Sequence, residues 1–152
     1  MNKLVLSLIV FLLIIGVVAN YYSIGVNETK SLPHSIFVIN KTKTPNQTEQ
    51  YLAFNYTSKS GKKHIFIKKV AGLAGDEVSV DSNRVFKINN KYNLKAKEIS
   101  LGGDKLELGQ TGIIPLDSYF VYSPHEDSYD SRYKGIGMVK PEDVVGIAYP
   151  LF

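Results

Sequence analysis

The chain contains no cysteine, which removes disulfides, thiol nucleophiles and cysteine-held metals together. That absence is compatible with an oxidising compartment but does not identify one. A second absence is local, because no charged side chain occurs between Leu4 and Asn27. A third concerns helices: past residue 27 no stretch sustains an apolar helical period over the usual length. Internal repeats are also missing. The basic residues are not interleaved with aromatics as a nucleic-acid groove requires, so nucleic acid is not an expected partner.

The uncharged stretch begins with a near-continuous apolar run of 16 residues, Leu4 to Ala19. As a helix this run spans roughly 24 Å, slightly short of a bilayer's hydrocarbon core. Extending it through Tyr21, Tyr22 and Ile24 brings it to about 31 Å, and paired tyrosines suit the membrane–water boundary. A transmembrane helix is the expectation. The competing reading is a cleaved secretory signal, with Val17-Val18-Ala19 as the cleavage site. On either reading the rest of the chain is exported, and Lys3 places the N-terminus in the cytoplasm. We therefore expect a cytoplasmic tip and signal anchor over 1–26 and an exported domain over 27–152.

The length of 152 residues suits one core plus that anchor. After the anchor, β-branched and aromatic runs alternate with turn-forming segments. Strands are expected at 36–39, 51–56, 64–70, 77–80, 85–88, 105–108, 119–122 and 144–149. Breaks are expected at 40–46, 58–63 and 72–76. The fold class is mainly β. The formal charge of +4 draws partly on Lys59, Lys62, Lys63, Lys68 and Lys69. A solvated surface and attraction to anionic lipid both account for such a cluster.

Three segments could carry chemistry. In the first, Asn27-Glu28-Thr29-Lys30-Ser31-Leu32-Pro33, a serine before a proline reads by itself as a loop residue. In the second, Phe66-Ile67-Lys68-Lys69-Val70-Ala71-Gly72-Leu73-Ala74-Gly75-Asp76, a lysine pair interrupts an apolar strand. Strand neighbours point to opposite faces, so one lysine must turn inward or towards a cleft. A buried ammonium is relieved by losing its proton, and the neutral amine is a competent general base. The competing reading is an edge strand with both lysines snorkelling. The third segment is Ser128-Tyr129-Asp130-Ser131-Arg132-Tyr133-Lys134-Gly135. If extended, it sets Asp130 and Arg132 on one face as a structural ion pair. A metal or acid–base cluster of His125, Glu126, Asp127 and Asp130 is the rival use of this region.

Taken in order, these boxes resemble the type I signal peptidase family. They comprise Ser-x-Pro behind a membrane anchor, Lys-Lys-Val-Ala-Gly-x-x-Gly-Asp, and Ser-x-Asp-Ser-Arg-Tyr-x-Gly. The Asn27, Thr29, Ser31 and Pro33 spacing looks most like its TraF branch, the conjugative-transfer signal peptidases. The resemblance implies a signal-peptidase-like antiparallel β domain behind one transmembrane helix. It implies a serine endopeptidase with Ser31 as nucleophile, Lys68 as general base and no cofactor or metal. It further implies that Ser128 orients the lysine amine, that Asp130 and Arg132 brace that segment, and that Thr29 contributes to the oxyanion hole. The implied partners are a preprotein or pilin-precursor substrate, the phospholipid membrane and a conjugation or secretion apparatus. The implied location is the bacterial cytoplasmic membrane, with the catalytic domain on the periplasmic side. Departures from the family pattern fall at Ser35, Phe37, Ala74 and Ser123-Pro124-His125. They leave room for a second reading, a catalytically degenerate β domain acting as a scaffold.

Overall fold

The computed structural model describes residues 2–29 and 31–151. Helix α1, Lys3–Tyr21, carries leucine, isoleucine and valine on every side and buries none of them, the pattern of a helix whose surroundings are apolar all round. The Asn2 side chain caps its start by accepting from the Leu4 N–H at 3.3 Å. Its 19 residues extend about 28 Å. This is the one helix among the described residues long and apolar enough to cross a membrane.

The helix does not run on through Ile24 as the sequence suggested. Tyr22 takes an extended conformation, and Tyr22–Val26 forms strand β1. Ser23 and Gly25 are weak helix formers, whereas Tyr22, Ile24 and Val26 suit a strand. Strand β2, Ile36–Asn40, supplies the antiparallel partner, with Ile24 opposite Val38. Lys41 closes the junction: its backbone N–H donates to the Tyr21 carbonyl at 2.9 Å and its Nζ donates to the Ala19 carbonyl at 2.9 Å. The last turn of the helix is thus held by a cation at its negative end.

Eight more strands follow among the described residues: β3 Tyr51–Thr57, β4 Lys63–Gly72, β5 Glu77–Val80, β6 Val85–Ile88, β7 Tyr92–Lys95, β8 Gly112–Ile113, β9 Phe120–Tyr122 and β10 Val144–Pro150. One sheet runs β1-β2-β10-β3-β4-β9 and a second runs β7-β6-β5-β8. All the pairings are antiparallel. The fold is therefore a mainly antiparallel β domain behind one apolar helix.

Leu52, Ala53 and Phe54 are buried in succession because both faces of the large sheet are covered. Ala53 joins Phe37, Ile39 and Ile67 in one cluster, while Leu52 and Phe54 join Val70 and Val121 in another. A third cluster, including Phe86, Ile88, Ile114 and Phe120, lies against the small sheet. Burial on both faces is what turns strand alternation into a continuous apolar run.

The expected strand at 105–108 is absent; single bridges join Ile99 to Lys105 and Leu108 to Tyr133 instead. Alternating charge and leucine there gave a strand pattern, but no neighbouring strand is present to extend it. The break at 72–76 forms as a tight turn. Asp76 donates its N–H to the Leu73 carbonyl and accepts the Leu73 N–H on its carboxylate at 2.8 Å, and Gly75 supplies the positive φ of +89°.

Candidate active site

Strand β4 places the two lysines on opposite faces. Lys68 is 5% exposed and sits opposite Leu52, while Lys69 sits opposite Tyr51. Lys69 reaches the outer side, where its Nζ meets Glu49 Oε2 at 2.9 Å. Glu49 also accepts from the Tyr92 and Tyr122 hydroxyls, both at 2.7 Å. Alternation thus separates a lysine with a carboxylate partner from one without. Strand β9 begins to pair with β4 only at Lys69, so β4 has no strand beside it on that side at Lys68.

The Lys68 Nζ donates to Ser31 Oγ at 3.0 Å and to Ser128 Oγ at 2.9 Å. All three residues are buried. Desolvation is the main cause that lowers the Lys68 pKa, to about 8. Asp130 acts against it and Arg132 acts with it. A carboxylate close to the amine favours its charged form. Asp130 does lie near, and Arg132 opposes its effect through a two-pronged contact. Arg132 Nε donates to Asp130 Oδ1 at 2.8 Å, and its Nη2 donates to Oδ2 at 2.8 Å. A paired carboxylate attracts an ammonium far less than a free one.

This ion pair does not arise from an extended segment. Residues 127–136 turn on themselves, with the Tyr133 N–H donating to the Asp130 carbonyl. Asp130 also accepts the Ser123 N–H at 3.1 Å. Arg132 also donates to the Lys95 carbonyl at 2.6 Å and to the Ser128 carbonyl at 3.3 Å. The pair therefore ties the backbone of Ser128 to β7 and to the end of β9. The neighbouring Ser131 Oγ accepts the Val121 N–H at 2.8 Å, fixing the same turn to β9.

Thr29 is exposed, and its Oγ1 donates to Ser31 Oγ at 3.0 Å and to Asn27 Oδ1 at 3.1 Å. Asn27 is a contact to which the sequence gave no role. Its Oδ1 also accepts from Ser31 Oγ at 3.4 Å, while its Nδ2 donates to the carbonyls of Leu32 and His34. One side chain thus ties both flanks of the loop that bears Ser31. Its only signal in the sequence is its place in the Asn-x-Thr-x-Ser spacing.

The rival cluster disperses. His125 is exposed and its Nδ1 accepts the Asp127 N–H at 3.2 Å. Asp127 pairs with Lys97, and Asp130 is spent on Arg132. Among the described residues no three histidine or carboxylate side chains form a metal-binding group.

Among known proteins, signal peptidase I P of Bacillus subtilis subsp. natto is 31% identical over 98 residues, which is 60% of this chain and 52% of that protein. The alignment thus spans about half the length of this relative. The family profile described as signal peptidase, peptidase S26, matches residues 1–152. With a serine, a buried lysine and a second serine brought together by three separate segments of the fold, the chain belongs to the signal peptidase family, peptidase S26.

Proposed function

We propose that this chain is a membrane-anchored serine endopeptidase that cleaves leader peptides from exported preproteins, with Ser31 as nucleophile and Lys68 as general base. The observation that carries this reading is the 3.0 Å contact between a buried amine and a buried serine hydroxyl. A serine hydroxyl needs a base before it attacks a carbonyl. A lysine whose pKa falls to about 8 is partly neutral near physiological pH and can take that proton.

The proton inventory is closed within the site. Ser31 Oγ bonds to the scissile carbonyl carbon as its proton passes to neutral Lys68, while Ser128 holds the amine in line. The carbonyl oxygen becomes an oxyanion, met by the Ser31 N–H and the Thr29 hydroxyl. The Lys68 ammonium then protonates the leaving amine. Neutral again, it takes a proton from water as that water attacks the acyl carbon, and returns the proton to Ser31 Oγ as the Oγ–carbon bond breaks and the acid is released.

The unpaired side of β4 before Lys69 supports binding of the substrate as an added extended strand. The apolar α1, which leads directly into β1, supports a site held beside the membrane, on the extracytoplasmic side. The Asn27-Thr29-Ser31-Pro33 spacing supports the TraF branch and a pilin precursor as substrate. In that branch an amine can replace water as the group that resolves the acyl-enzyme.

Ser31→Ala and Lys68→Ala should each abolish cleavage of a leader peptide while circular dichroism and membrane association stay unchanged. Full processing by the Lys68→Ala protein would end this reading.

A further inference from the structure

A cavity of about 730 Å³ opens next to Ser128, within the size range of ligand sites. Neither Ser31 nor Lys68 lines it, but Ser128 does, and the Ser128 hydroxyl touches the Lys68 amine. The cavity therefore adjoins the reacting centre without containing it. Tyr129 and Tyr133 stack along its wall with ring centroids 5.4 Å apart and planes 6° apart, and Tyr56 meets Tyr129 edge-on at 6.1 Å. Leu106 is half-buried beside them. Rigid aromatic walls of this kind offer apolar area at low entropic cost.

The rim carries charge in a particular balance. Lys97 pairs with Asp127, and Lys134 pairs with Glu107. Among the described residues, Lys59 and Lys105 make no ion pair, against one unpaired carboxylate, Asp104. Both free lysines lie near Glu107. Its carboxyl is held below its ordinary range chiefly by the Lys134 hydrogen bond, with Lys59 and Lys105 adding to the effect. An aromatic wall under an excess of free ammonium groups complements an apolar side chain flanked by carboxylates.

We propose that this cavity is a docking site for the stretch of substrate that follows the scissile bond, taking an aromatic or large apolar side chain flanked by acidic residues. The assignment to substrate rests on the peptidase reading above. A leader's apolar portion remains with the bilayer and α1, so the part of the substrate free to carry carboxylates into water is the part beyond the cut. The cavity lies on the Ser128 side of the amine, with its mouth formed by exposed residues such as Leu101.

The test uses the full chain in nonionic detergent and two labelled peptides, one with phenylalanine between aspartates and one with lysines in their place. Fluorescence anisotropy should show the acidic peptide binding about tenfold more tightly. The double variant Lys59→Glu/Lys105→Glu should remove that preference while cleaving a short leader peptide at the original rate. A leader peptide extended by the acidic aromatic segment should lose a KM advantage of about fivefold in the same variant. Equal binding of the two peptides, or a preference that survives the double substitution, overturns the docking site. Charge-dependent binding by a protein that cleaves no leader peptide supports the docking site and overturns the peptidase reading instead.

Discussion

The Lys68 amine lies as close to Ser128 Oγ, at 2.9 Å, as it does to Ser31 Oγ, at 3.0 Å. An amine on a four-carbon stem has many rotamers, so one contact with Ser31 would leave it poorly placed. The second hydroxyl comes from a turn that Arg132 holds by the Ser128 carbonyl, and it gives the amine a second fixed contact.

Ser128→Ala should therefore lower kcat by about 10- to 100-fold with KM little changed, since the lost contact acts on the base and not on bound substrate. Ser128→Thr, which restores a hydroxyl, should recover part of the rate. Steady-state kinetics on a leader peptide would show this. A loss expressed only in KM would remove Ser128 from its orienting role.

Lys68 has a pKa of about 8 in the folded chain against an ordinary 10.5. Between these values the unfolded chain binds more protons than the folded one, so stability rises with pH across that window. The shift corresponds to roughly 3 kcal/mol, which is a cost of folding at neutral pH and is relieved by about pH 10. Activity should climb through pH 8 as the neutral amine accumulates. Lys68→Met should flatten the stability profile between pH 8 and pH 10. Denaturant midpoints for both proteins across that range would test it, and parallel profiles would contradict a depressed Lys68.

The lysine pair was readable because β4 is apolar on both sides of it, and strand geometry cannot send neighbours to one face. Which lysine turned inward followed from the family resemblance rather than from the strand itself, since Lys69 is the one with a carboxylate partner and Glu49 lies distant in sequence. β1 was hidden because Tyr22, Ile24 and Val26 are apolar enough to extend the helix on paper. Only its ladder with β2 identifies it as a strand. β7 and β8 are short, and they owe their form to β6 and β5 beside them. The Asp130–Arg132 pair was legible as residues but not as geometry, because it closes inside a turn.

Asn27 binds the loop at four points, accepting from Thr29 and Ser31 and donating to Leu32 and His34. Asn27→Ala should slow cleavage about tenfold or more through loss of nucleophile placement, with binding of an uncleaved substrate analogue unchanged. Asn27→Asp keeps the acceptor but loses both donations to carbonyls, and it adds a charge near the amine. It should raise the pH at which activity climbs, because a carboxylate favours the Lys68 ammonium. The pH–rate profile of this variant separates placement from simple unfolding.

Asp130 and Arg132 are both buried, and the carboxylate accepts from the guanidinium on both oxygens. Removing one partner strands the other without water or counter-charge, which typically costs about 3–5 kcal/mol. Asp130→Ala should lower the denaturant midpoint on that scale, and Arg132→Ala should do the same. The double variant Asp130→Ala/Arg132→Met should regain much of the stability, because no buried charge remains. It should not regain activity: Ser128 loses the Arg132 bond to its carbonyl, and Lys68 loses the turn that presents its second hydroxyl. Recovery of activity together with stability would mean that the pair does not position the base.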